Sequence, residues 1–115
     1  MNGQTDELDR DLIVAHARFP GAYVLILRGT ADMFTAEDLD VDFAAATMTG
    51  LRLVVDLGAL EHGDETLLNL LLDAHRARGV ELVGPLAPGF RRRLDTAGIA
   101  DWFTVRPTLT CALDH

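Results

Sequence analysis

Lysine is missing from this sequence altogether, so all 10 of its basic residues are arginines, set against 18 acids. The resulting formal charge of −8 excludes the basic surplus with which proteins hold a nucleic-acid backbone. A protein partner with basic character fits better. The lone cysteine, Cys111, leaves no intramolecular disulfide and no cysteine-based zinc site, and is read as a small, buried or semi-buried residue. No apolar run approaches the roughly 20 residues that cross a bilayer, which argues against membrane insertion. Glycine-rich dinucleotide, P-loop and G-x-S-x-G patterns are also absent, so nucleotide and hydrolase chemistry find no support and no cofactor is expected.

What remains is a chain of 115 residues with 49% apolar content, enough for one domain with one core. Its first 11 residues, MNGQTDELDRD, are polar and acidic and lack the basic start and apolar centre of a secretory signal. They are expected to be a flexible segment ahead of a single domain over 12–115, and the protein is expected in the cytoplasm. Repeats, linkers and low-complexity segments are not found.

Apolar residues alternate from Leu12 to Arg18, a Pro-Gly turn follows, and Tyr23 to Leu27 is continuously apolar; this predicts a hairpin. Thr35 is placed to cap a helix with Glu37 and Asp38 in its first turn and Leu39, Phe43 and Ala46 on one face. Leu51 to Val55 is short, apolar and β-branched, as in a strand covered on both sides, and is expected at the centre of the sheet. A leucine-rich helix ending at Gly79 comes next, then the strand VELVG. Pro88 to Gly98 predicts a helix begun by proline and ended by glycine. WFTV predicts a last strand, and Pro107 to Leu113 a terminal helix. Strands alternating with helices imply an α/β domain, with a mostly parallel mixed sheet of about five strands, about four helices and an antiparallel opening hairpin.

The stretch EHGDETLLNLLL, residues 61 to 72, sets a polar knot of Gly63, Asp64, Glu65 and Thr66 before the leucine-rich helix. The knot falls on the first helical turn, where free backbone N–H groups and the helix dipole favour negative charge. Acids are favoured in any such turn, so Asp64 as cap and Glu65 behind it are equally explained by helix stability alone.

Several ordered motifs resemble the STAS domain of bacterial anti-sigma factor antagonists. Gly29, Thr30, Ala31 and Asp32 stand where that family has Gly-Glu-Leu-Asp, and Thr35, Ala36 and Leu39 match the start of its first helix. Val54, Val55, Asp56 and Leu57 resemble its strand ending in Asp-Leu. The tail LVGP, with Arg92, Leu94, Gly98, Ile99, Phe103 and Val105, resembles its closing segment. Together these span roughly residues 12 to 113 and imply a STAS-like fold.

The family signature ahead of the second helix is Asp-Ser-Ser-Gly-Leu, whose first serine takes phosphate from a kinase that is also the anti-sigma factor. Here Asp64 matches the aspartate, Glu65 the phosphoacceptor, Thr66 the second serine, Leu67 the glycine and Leu68 the leucine. The resemblance thus implies a non-enzymatic domain that binds an anti-sigma factor with a kinase-like fold, in a form without the acceptor hydroxyl. Phosphoserine carries about −1.5 to −2 charges and glutamate one, so Glu65 is read as a built-in phosphate mimic in a locked switch. In the family the unmodified form binds the kinase and the phosphorylated form releases it. The partner surface is expected to comprise Asp32 and Gly63, Asp64, Glu65 and Thr66, flanked by Leu67 and Leu68, with Thr66 as the alternative, shifted acceptor.

Other constellations carry less. His62, Asp64 and Glu65 are adjacent in sequence and lack the spacing that aims ligands at one metal ion. Asp56 ends an apolar strand as the acceptor of a response-regulator receiver does, yet the lysine that chemistry requires is missing. FRRRL, Phe90 to Leu94, is read as a solvated helix face rather than an anion site. Asp38, Asp40 and Asp42 reinforce an acidic front near Asp32, and Leu68 and Leu72 are expected on the flank of their helix, partly exposed. Two further roles stay open: an accessory subunit of a lipid-transporter ATPase, and a self-associating scaffold, for which a homodimer would be the simplest form.

Overall fold

The opening hairpin forms because apolar residues alternate across a Pro-Gly turn in which Gly21 takes φ 84°, a conformation that side chains oppose. A computed structural model describes residues 12–113. The expected flexible segment 1–11 lies outside the described residues. Strand β1 (Leu12–Phe19) pairs antiparallel with β2 (Ala22–Ala31), and four α-helices follow: α1 (Ala36–Met48), α2 (Glu65–Arg78), α3 (Pro88–Thr96) and α4 (Leu109–Leu113). Strands β3 (Arg52–Gly63), β4 (Val80–Val83) and β5 (Thr104–Arg106) alternate with them. All five strands form one sheet in the order β1-β2-β3-β4-β5, with β2 to β5 parallel. The expected architecture and the central place of the LRLVV strand both hold.

Parallel neighbours laid down in sequence order need crossovers of one hand, and these put α1, α2 and α3 on the same face. Side chains alternate accordingly. Leu25, Leu27, Leu53, Val55 and Leu82 point into the main core with Leu39, Phe43, Leu67, Leu71, Phe90 and Leu94 of the helices. Val24, Val54 and Val83 point the other way, where Ala112 and Leu109 of α4 cover them. Arg52 fastens that cover: its guanidinium donates to Glu81 Oε1 at 2.8 Å and to the Ala112 carbonyl at 3.0 Å. On the outer edge His16 links three elements, meeting Tyr23 Oη at 2.7 Å and Asp42 Oδ1 at 2.8 Å. Asp42 is therefore turned toward β1 and does not join Asp38 and Asp40 in an acidic front.

Strand β3 is much longer than the five apolar residues suggest. It runs in register with β2 to Asp56, opposite Ile26, and then twice takes one extra residue, so that Ala59 faces Arg28 and His62 faces Thr30. The first irregularity is stabilised by Asp56, whose Oδ1 accepts the Gly58 N–H at 2.9 Å. Bulges of this kind bend a strand and break its period of two, which hides its length from pattern reading. The first helix also begins differently from expectation. Asp32, not Thr35, is the primary cap: it opens a 3-10 turn over Met33–Thr35 with reciprocal Asp32 and Thr35 side-chain bonds, while Thr35 makes no side-chain cap to α1. Trp102 falls in a second 3-10 turn, so the last strand starts two residues later than WFTV implies.

Core placement has a direct test in stability. Leu71→Ala, at a fully buried site, should cost about 2–5 kcal/mol in urea unfolding. Met48→Ala, at a site 86% exposed, should stay within about 0.5 kcal/mol. Equal losses would contradict the assignment of faces.

Candidate functional site

The carboxyl ends of β2 and β3 carry the polar knot and the start of both following helices, the usual place for function in an α/β sheet. Ala31 faces Gly63 across the two strands, and the Asp64 N–H donates to the Ala31 carbonyl at 3.1 Å. That bond ties the entry of α2 to the exit of β2. Asp64 has the extended backbone of an N-cap, φ −105° and ψ −163°, and its Oδ1 accepts the Thr66 N–H at 2.8 Å. Asp32 does the same for the neighbouring turn, accepting the Phe34 N–H at 3.0 Å. Two capped helical starts therefore lie side by side.

Glu65 is the first residue of α2 and is exposed, with no hydrogen bond or ion pair among the described residues. A negative charge in this first turn gains from the helix dipole without needing a side-chain partner. Thr66 is half-buried and lines an open groove of about 380 Å³ between α1 and α2, with Glu37, Asp40, Asn69, Leu70 and Asp73. Three of those neighbours are carboxylates, so the groove suits a cationic group and not a phosphate. Among the described residues no group of three or more His, Cys, Asp or Glu side chains is gathered as a metal would require.

The remaining expected surface residues take different places. Gly63 is buried, and a Cβ there would lie 2.8 Å from Leu67 Cδ2 and 3.0 Å from Phe90 Cδ1. Leu67 is fully buried and Leu68 nearly so, because both lie on the sheet-facing side of α2. These three residues support the knot from beneath and do not form its outer surface. Leu68 in particular departs from the expected partial exposure, whereas Leu72 is half-buried as expected.

Sequence reading missed the apolar residues at this end. Met33 is 69% exposed and Phe34 86% exposed, both in the 3-10 turn that Asp32 caps. Their signal was available: two large apolar residues sit between Asp32 and Thr35, off the stripe of Leu39, Phe43 and Ala46. An exposed aromatic beside a polar loop is a common anchor at protein interfaces.

No family model matches the chain, and no curated protein matches it. Solved structures do match. An anti-sigma factor antagonist from Mycobacterium paratuberculosis is 27% identical, with a TM-score of 0.80 over 90% of this chain and 92% of that one. The chain has the STAS fold of the anti-sigma factor antagonists. The antagonist SpoIIAA in its unphosphorylated form gives 19% identity and a TM-score of 0.75, over 89% of this chain and 94% of that one. The Bacillus cell fate determinant SpoIIAA in its phosphorylated form gives 20% and 0.69, over 89% and 97%. The motif Gly29–Asp32 falls on the end of β2 and the cap just after it, and Asp56–Leu57 falls on β3. The knot lies at the junction of the central strand with α2.

The cap and the missing Cβ make separable contributions. Asp64→Ala should cost about 1 kcal/mol, with Asp64→Asn retaining most of it. Gly63→Ala should cost about 1–3 kcal/mol by forcing Leu67 and Phe90 apart. Urea denaturation checks both, and a neutral Gly63→Ala would contradict the close approach.

Proposed function

We propose that this STAS domain is an anti-sigma factor antagonist-like interaction module. Its partner is a regulatory anti-sigma factor with a kinase-like fold, and Glu65 stands in for the phosphorylated residue. The observation that carries this reading is the state of Glu65 itself: an exposed, unpaired carboxylate on the first turn of α2, at the position matched to the phosphoacceptor. SpoIIAA, known in unphosphorylated and phosphorylated forms, shares the fold that holds this position.

Three features support a locked switch over a displaced one. Serine is absent from the whole chain, so the acceptor has not moved to another serine. Thr66 is half-buried beside the carboxylates of Glu37, Asp40 and Asp73, where a phosphate bearing about −1.5 to −2 charges would be repelled. Leu67, matched to the family glycine, is folded into the core and leaves the approach to Glu65 open. Met33 and Phe34 supply the apolar contact beside it, and Asp32 and Asp64 hold the two turns that carry these groups.

The test is recovery of partners from the native cytoplasm by the wild-type chain, Glu65→Ser and Glu65→Ala, read by quantitative mass spectrometry. A kinase-like anti-sigma factor should be recovered, with both substitutions strengthening binding on the order of tenfold, equivalent to about 1.4 kcal/mol. The introduced serine should take phosphate from that partner, and Thr66→Ala should leave that labelling unchanged. Recovery of a membrane ATPase complex, or of a partner indifferent to residue 65 with no labelling of the serine, would overturn the assignment.

A further inference from the structure

On the opposite flank of α2 from the acidic groove, an open pocket of about 310 Å³ lies between the end of β3 and α3. It is lined by His62, Gly63, Gly89, Arg92, Arg93 and Thr96. No acid lines it, in a chain where acids outnumber arginines 18 to 10. We propose that this pocket is an anion site that takes a phosphate group, either free phosphate or the phosphate of a small monoester.

The arginines carry the argument. Arg52 and Arg76 are engaged by carboxylates. Arg92 and Arg93 have no ion pair or hydrogen-bond acceptor among the described residues. The Nε of Arg93 is also shut off from solvent without an acceptor. An anion in the pocket supplies the acceptor that the terminal nitrogens of these two guanidinium groups lack. Two guanidinium forks side by side match the oxygens of a phosphate.

The backbone adds donors at the same place. Helix α3 starts at Pro88 after Ala87, which gives no side-chain cap, so the Gly89 N–H at the pocket wall has no side-chain acceptor. The space a Cβ of Gly89 would fill is open, and an anion can approach that first turn closely. The Thr96 hydroxyl and the His62 ring complete the lining. A tetrahedral phosphate offers these donors more oxygens than the two of a carboxylate. The volume, at the low end for ligand sites, admits the phosphate and a small attached group. Glu65 does not line the pocket, so the proposal is independent of the phosphate-mimic reading.

The test is an amide-resolved NMR titration of the whole chain with inorganic phosphate, and separately with adenosine monophosphate, at ionic strength fixed by sodium chloride. Saturable shifts should appear at Gly63, Gly89 and Thr96 while Gly21 and Gly50 stay fixed. Arg92→Gln and Arg93→Gln should each weaken binding about tenfold, the loss expected for one charge-assisted contact. The same spectra report whether each variant is folded, and exposed Arg92 provides the variant least able to disturb the core. Equal binding of both probes would assign free phosphate, and tighter binding of the nucleotide a monoester; either upholds the site. Shifts no larger than those from chloride, or binding unchanged by both substitutions, would overturn it.

Discussion

Gly63 has no side chain, and Leu67 of α2 and Phe90 of α3 occupy the space that one would fill. Much of the functional end of the molecule follows from that close approach. It lets the last residue of β3 sit beneath two helices at once, with α2 beginning immediately after it. The Asp64 amide then reaches the end of β2, and the Asp64 carboxylate closes the first turn of α2. Glu65 is left facing outward, with no ion pair among the described residues. A larger residue at 63 would push α2 and α3 off the sheet and displace the turn together with the pockets on both sides.

Those two sides differ in charge. Toward α1 the groove is lined by Glu37, Asp40 and Asp73; toward α3 the pocket is lined by Arg92 and Arg93. Helix α2 divides them, and its N-terminus carries an acid of its own. A partner meeting this end would find a fixed negative charge with an exposed apolar turn, Met33–Phe34, at the same end of the sheet. Such an arrangement favours recognition by shape and charge over chemistry on a bound substrate. In the proposed role, the charge at position 65 is permanent where a related protein would acquire it, and the consequence is a constant output in place of a switched one.

Much of the fold was legible because its elements obey simple periods. The hairpin, the first helix face of Leu39, Phe43 and Ala46, and the central strand could be read from apolar spacing alone. The knot was legible too, since Asp64 caps α2 as a first-turn acid pattern implies. Strand β3 was cut short because two extra residues interrupt its alternation after Asp56. Leu68 was assigned to the flank because a helix apolar on most sides gives no clear inner face. The groove, the arginine pocket and the Met33–Phe34 turn depend on contacts between distant segments. Only the fold brings His62 and Gly63 against α3, so FRRRL alone could suggest no more than a solvated face.

Phe34 and Met48 offer a direct comparison, for both are 86% exposed and they lie near opposite ends of α1. A photo-crosslinking amino acid placed at each position in turn, in the full chain and in its native cells, would map the partner's footprint. The central claim is that function resides at the β3–α2 junction. It requires a kinase-like regulatory protein to be captured from position 34 and not from position 48. Capture from position 48 alone, or equally from both, would contradict it.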